Sequence, residues 1–207
     1  MSGATVPPAR FPANPSRIIL TGFMGAGKTT VGALLAERLG WEFVDSDRVV
    51  EVRAGMTVGE VFERRGEGAF RELEATAIRD VSSREHIVLA LGGGALEMAA
   101  TRESLAALTD TPIIFLDAPL ETMIARCAEH AGGPVRPVLA DRARLAERWK
   151  QRLPWYRQAH LTVETAELSP KGVVECILRK LELEVGSGQR EAVGSSAGTG
   201  GKPGVPA

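Results

Sequence analysis

The chain has 207 residues, of which 44% are hydrophobic and 25% charged. That composition suits one globular domain with a single sizeable core and excludes a disordered or fibrous protein. A formal net charge of -1 leaves no global basic field for nucleic acid or an anionic membrane surface.

No apolar run approaches the roughly 18 residues of a membrane span. The start of the chain, studded with Pro7, Pro8, Pro12 and Pro15, lacks an apolar signal core, so the cytoplasm is the expected compartment. Residues 1–16 read as a flexible leader and 17–185 as the folded domain. Residues 186–207, rich in Gly, Ser and Pro, read as a disordered tail. Within the domain, strands are expected at 17–21, 42–45, 87–90, 112–116 and 161–164. Helices are expected at 28–39, 47–54, 57–65, 69–82, 99–107, 120–129, 141–160 and 170–184. Thr57 followed by Glu60 is a capping-box pattern. Residues 18–20, 87–91 and 113–116 are apolar consecutively, as in strands covered on both faces. Strand and helix alternate, which predicts an α/β fold with a mostly parallel sheet and ligands at the strands' carboxyl ends. Cys127 and Cys176 fall in helical stretches and read as buried thiols without a disulfide or metal role.

Gly22-Phe23-Met24-Gly25-Ala26-Gly27-Lys28-Thr29 matches G-x-x-x-x-G-K-[ST] between the first strand and the first helix. Its glycines let successive N–H groups face phosphate oxygens, and the helix N-terminus adds its dipole. Lys28 would reach the β- and γ-phosphates of ATP, and the Thr29 hydroxyl would ligate Mg²⁺.

The next strand ends in Asp45-Ser46-Asp47, two acids that face one side if the strand's alternation continues. They come near the phosphate loop if the two strands are neighbours. One could hold Mg²⁺ through water, and the other could orient an acceptor hydroxyl. Asp47 equally stands where a helix N-cap belongs. Arg71 and Glu74, three apart, could present an oriented guanidinium to a carboxylate, or could be an ordinary solvated pair. Gly92-Gly93-Gly94 follows the third apolar strand, where missing side chains allow close approach by a ligand. Gly132, Gly133, Pro134, Arg136 and Pro137 describe a hinged loop able to bring a cation to a phosphate. His86, His130 and His160 have no partner pattern. Trp41, Trp149 and Trp155 are too scattered for a nucleic-acid stacking platform and read as packing residues.

These motifs, with Arg136-Pro137-Val138-Leu139 and Arg152-Leu153-Pro154-Trp155-Tyr156, stand in the order and spacing of shikimate kinases. The chain resembles that family from Arg17 to about Leu183. The resemblance implies a three-layer sandwich around a five-stranded parallel sheet, of P-loop kinase type, with a mobile lid at about 129–141. It implies transfer of phosphate from ATP to shikimate in aromatic amino acid biosynthesis, by a monomer that binds neither nucleic acid nor membrane. Carried over by position, the catalytic residues would be Lys28, Asp47 and Arg136. ATP would be held by Gly25, Ala26, Gly27, Lys28, Thr29, Thr30 and Arg136, with Arg126 and Pro170 flanking the adenine. Asp47, Arg71, Gly92, Gly93, Gly94 and Arg152 would bind shikimate. Mg²⁺ would sit on Thr29 directly and on Asp45 through water. One departure is that the stretch before Arg136 runs a residue or two longer than in the family. The rival readings are a kinase for gluconate or a nucleoside monophosphate, and a P-loop regulatory module without transfer activity.

Overall fold

In the computed structural model, residues 15–129 and 141–183 are described. Five strands, β1 (Arg17–Thr21), β2 (Glu42–Asp45), β3 (Ile87–Ala90), β4 (Ile113–Asp117) and β5 (Leu161–Glu164), form one parallel sheet in the order β2-β3-β1-β4-β5. The helices are α1 (Lys28–Leu39), α2 (Ser46–Ala54), α3 (Val58–Val81), α4 (Ala99–Ala106), α5 (Leu120–Glu129), α6 (Arg142–Tyr156) and α7 (Pro170–Lys180).

The consecutive apolar runs have their expected consequence. Every residue of β1 and β3 is buried, whereas the edge strands β2 and β5 keep exposed positions. Ile18, Ile19, Leu20, Leu89 and Phe115 fill the centre, with Leu35 of α1 and Ile177 of α7 packed on the sheet. Each such side chain contributes about 1.5–3 kcal/mol on leaving water. A second apolar cluster, Val50, Val61, Phe70 and Ala77, joins α2 to α3.

The sheet order answers whether the first two strands are neighbours. β1 and β2 are not neighbours, because β3 runs between them, with Ala90 in register with both Leu20 and Asp45. The phosphate loop and the glycine run are therefore the adjacent strand ends, and the Asp45 end lies one strand further out.

Several boundaries also shift. The helices expected at 57–65 and 69–82 run as one element broken at Gly66, whose φ of 81° only glycine adopts readily. The Thr57–Glu60 capping box is formed at its start. β4 begins at Ile113, one residue past Pro112, which has no N–H to give a ladder. α7 stops at Lys180, because Glu182 turns left-handed (φ 54°) and Leu183 N–H donates back to Leu178 O. α6 stops at Tyr156, beyond which the chain tightens into turns. A 3-10 turn, Ala95–Glu97, follows the glycines unforeseen. Cys127 and Cys176 are half-buried rather than buried.

Ser46 ties these parts together. Its hydroxyl is buried and accepts the Gly92 N–H at 2.8 Å, joining the start of α2 to the end of β3. In Ser46→Ala that amide is buried without a partner, which costs about 1–3 kcal/mol. A melting temperature several degrees lower is expected in thermal denaturation, and an unchanged one would contradict this role.

Candidate functional site

The phosphate loop leaves β1 and enters α1 through Gly27, which takes the N-cap place at φ 94° with no side-chain cap. The first N–H groups of α1 are thus left pointing into the cleft. Lys28 folds over its own loop, its Nζ donating to Gly22 O (2.7 Å) and Phe23 O (3.0 Å). Burial pushes the Lys28 ammonium down to about 8, against the upward pull of Asp47 and Asp45.

The two acids separate into different tasks. Asp45 is the N-cap of α2: its Oδ1 accepts the Asp47 N–H at 3.0 Å and its Oδ2 accepts from Thr29 Oγ1 at 3.1 Å. Asp47 is therefore not the cap that its position in the sequence suggested. It stands in the first turn of α2, with its carboxylate unspent on capping. Burial, and then the Asp45 charge, push the Asp47 carboxyl above its ordinary value, while Lys28 and Arg71 pull it down.

Beside Asp47 lie the arginines. Arg71 and Glu74 are not a solvated pair: Arg71 is 8% exposed and Glu74 1%, and Arg71 Nη1 donates to Glu74 Oε2 at 2.7 Å. Glu67 Oε1 takes Arg71 Nη2 at 3.3 Å. Arg152, from the middle of α6, is equally buried and lies beyond the glycine run. Burial pushes the Glu74 carboxyl up to about 7 although Arg71 opposes it. Arg71 Nε and Glu74 Oε1 are buried without a hydrogen-bond partner among the described residues.

The glycine run serves this cluster differently from the sequence-based expectation. A side chain at Gly92 would collide with Glu74 Oε1 and Asp47 Oδ1, and one at Gly94 with the Arg71 guanidinium. These two glycines make room for the site's own charged groups. At Gly93 a Cβ meets nothing nearer than 3.7 Å, and there the backbone is open.

Gly25, Ala26, Gly27, Lys28, Thr29, Thr30, Asp45, Asp47, Gly92, Gly93, Arg126 and Pro170 all line one cleft of about 1790 Å³. Arg126 is steered there by bonds from its guanidinium to Thr165 Oγ1 (3.0 Å) and Thr165 O (2.6 Å). Arg71, Gly94 and Arg152 are not part of that wall; they adjoin it through Asp47, Glu74 and Gly93. Arg136, His130 and the lid loop lie outside the described residues.

Sequence reasoning missed three polar residues. Ser46 was passed over between two acids. The Tyr156 hydroxyl donates to Gly93 O, and its only signal was membership of the motif around Arg152. Glu97 takes Arg152 Nε–H on Oε1 at 2.7 Å and lies 3.6 Å from Arg71 Nη2 through Oε2. Nothing marked it beyond an acid shortly after the glycines. His160 is structural as expected, its Nδ1 accepting the Ile113 N–H at 3.0 Å.

The shikimate kinase family model matches residues 24–182. A shikimate kinase of Gloeobacter violaceus is 44% identical over 79% of this chain and 91% of its own length; one of Methylococcus capsulatus is 41% identical over 82% and 94%. Among solved structures, a shikimate kinase from Acinetobacter baumannii in complex with shikimate superposes with a TM-score of 0.73. It is 38% identical over 81% of this chain and 96% of that one.

The lowered Lys28 value generates a prediction. A bound triphosphate holds this ammonium charged, so ATP affinity is fully present below pH 8 and declines as the pH rises through that value. The decline is expected to reach up to about tenfold per unit. Equilibrium binding of ATP measured from pH 7 to 9.5 checks this, and a flat profile would contradict it.

Proposed function

Because this chain belongs to the shikimate kinase family, we infer that it transfers the γ-phosphoryl group of ATP to shikimate, giving ADP and shikimate 3-phosphate in aromatic amino acid biosynthesis. The observation that carries the reading is the convergence of Arg71 and Arg152 beside Asp47, across the glycine run from the phosphate loop. Two buried guanidinium groups suit a carboxylate, and an adjacent raised carboxyl suits an alcohol.

ATP lies with its phosphates against Gly25 to Thr30, and its adenine between Arg126 and Pro170. Lys28 exchanges its loop carbonyls for phosphate oxygens and carries positive charge to the leaving group. The shikimate carboxylate takes Arg71 and Arg152, with the Gly93 backbone beneath it. That grip turns the ring so that its 3-hydroxyl meets Asp47. As the hydroxyl oxygen bonds to the γ-phosphorus, the bond from that phosphorus to the bridging oxygen of ADP breaks. Asp47 accepts the hydroxyl proton, and its raised value brings the carboxylate nearer the basicity this needs. Most of the acceleration in such a transfer comes from alignment and charge stabilisation rather than covalent chemistry.

Thr29 Oγ1 and Asp45 Oδ2, two oxygen donors 3.1 Å apart at the loop, fit a hard divalent ion that keeps part of its water shell. We assign Mg²⁺ to Thr29 directly and to Asp45 through water, where it neutralises β- and γ-phosphate charge when bound with ATP. Arg136 is assigned to the transferring phosphate. The enzyme is taken to act as a monomer in the cytoplasm, on small molecules rather than nucleic acid or membrane.

Purified protein offered Mg·ATP with shikimate, gluconate or nucleoside monophosphates is expected to release ADP with shikimate alone. Turnover of another acceptor, or ATP binding without turnover, would overturn the reading. Asp47→Asn is expected to lower kcat by roughly 10²–10⁴-fold with ATP affinity retained. In the wild type, kcat/KM for shikimate is expected to fall on the acid side at a pH above the ordinary aspartate range, as Asp47 takes up its proton. A wild-type rate in Asp47→Asn would make this residue no more than part of the frame. Arg71→Ala is expected to raise the shikimate KM by roughly 10- to 150-fold, the loss of one charge-assisted interaction; an unchanged KM would move the carboxylate site elsewhere.

A further inference from the structure

We propose that Glu97 is a positioning residue for the substrate carboxylate, a carboxylate of the protein itself that holds Arg71 and Arg152 side by side over the glycine run. The inference deepens the reading above and rests on it.

The geometry is specific. Oε1 of Glu97 accepts the Arg152 Nε–H at 2.7 Å, and Oε2 lies 3.6 Å from Arg71 Nη2. It is the one carboxylate that pairs with both guanidinium groups, and the sole ion-pair partner of Arg152 among the described residues. Two buried cations drawn towards one small anion repel each other, and a fixed acid between them relieves that repulsion. The choice of donor matters as much as the charge. A guanidinium has five N–H groups, and Glu97 engages Arg152 through Nε, leaving the terminal fork to grip a ligand carboxylate bidentately.

Glu97 is also more rigidly placed than an acid on a loop. Its backbone closes the 3-10 turn, with Glu97 N–H donating to Gly94 O at 2.9 Å. Arg102 Nη1 donates to Leu96 O (2.6 Å) and Glu97 O (2.8 Å), and the same guanidinium lies 3.9 Å above the Trp155 ring. Trp155 belongs to α6, as Arg152 does. The acid and its arginine are thus linked twice, once by side chain and once through Arg102. Without Glu97, a long side chain with about 2 kcal/mol of rotamer entropy loses its orienting partner.

Steady-state kinetics of Glu97→Ala and Glu97→Gln test this. For Glu97→Ala the shikimate KM is expected to rise at least tenfold, with kcat within about threefold and the ATP KM unchanged. Glu97→Gln keeps an oxygen for the Arg152 Nε–H and is expected to recover much of that loss. With the carboxamide analogue of shikimate, wild type and Glu97→Ala are expected to differ less than threefold, because the anion that needs both cations is gone. An unchanged KM overturns the proposal. So does a lowered KM, which would make Glu97 a competitor for the arginines, or an equal loss with acid and carboxamide. Failure of the wild type to turn over shikimate would instead sink the functional reading itself.

Discussion

Arg71 and Arg152 are held with only 8% of each residue exposed, and the acceptor half of the cleft is organised around keeping both charges paired. Breaking a buried ion pair by removing one partner costs about 3–5 kcal/mol, a large share of the 5–15 kcal/mol that keeps a domain folded. Glu74 comes from the next turn of Arg71's own helix, and Glu67 from the turn before. Gly92 and Gly94 then follow as necessities, since any side chain there would occupy the space taken by Glu74, Asp47 or the Arg71 guanidinium. Burial raises the Glu74 carboxyl to about 7, with Arg71 and, less strongly, Arg152 opposing the rise.

Sheet order brings this cluster to the phosphates. With β3 between β1 and β2, the glycine run after β3 is flanked by the phosphate loop on one side and by Asp45 and Asp47 on the other. Ser46 fixes that second side through the Gly92 amide, and Thr29 reaches across to Asp45. Donor, acceptor and base are thus carried on three strand ends, with the glycine-bearing one in the middle. A parallel sheet supplies this because all its carboxyl ends point the same way.

The phosphate loop, the buried strands and the Arg71–Glu74 pair were legible because each depends on neighbours in sequence. Local spacing dictates a Gly-rich turn before a helix and an i,i+3 salt link. The order of the strands was not legible, since nothing in the residues of β1 or β2 says that β3 will insert between them. The cap of α2 was misread for a subtler reason: two aspartates two residues apart both satisfy the capping preference, and only the backbone decides that Asp45 accepts from Asp47. Glu97 escaped because its partners are 26 and 55 positions away in the chain, a relation that exists only after α3 and α6 have packed on the glycine turn.

The balance of charge in the described site bears on why the reaction needs more than these residues. Of the residues named above, Lys28, Arg71, Arg126 and Arg152 stand with Asp45, Asp47, Glu67, Glu74 and Glu97, four cations against five carboxyls. Burial raises Asp47 and Glu74 and lowers Lys28, while Asp45 and Asp47 pull Lys28 the other way. Each of these groups is pressed towards its neutral form because burial disfavours charge. Adding a triphosphate holds Lys28 in its charged state, but adds more negative charge than one ammonium offsets. A carboxylate substrate does the same on the acceptor side. The divalent ion assigned to Thr29 and Asp45, and the cation assigned to Arg136, answer that deficit on the phosphate side. On the acceptor side Glu74 and Glu67 already pair with Arg71, and Glu97 pairs with both arginines, so the substrate carboxylate enters a cluster whose cations are already partnered.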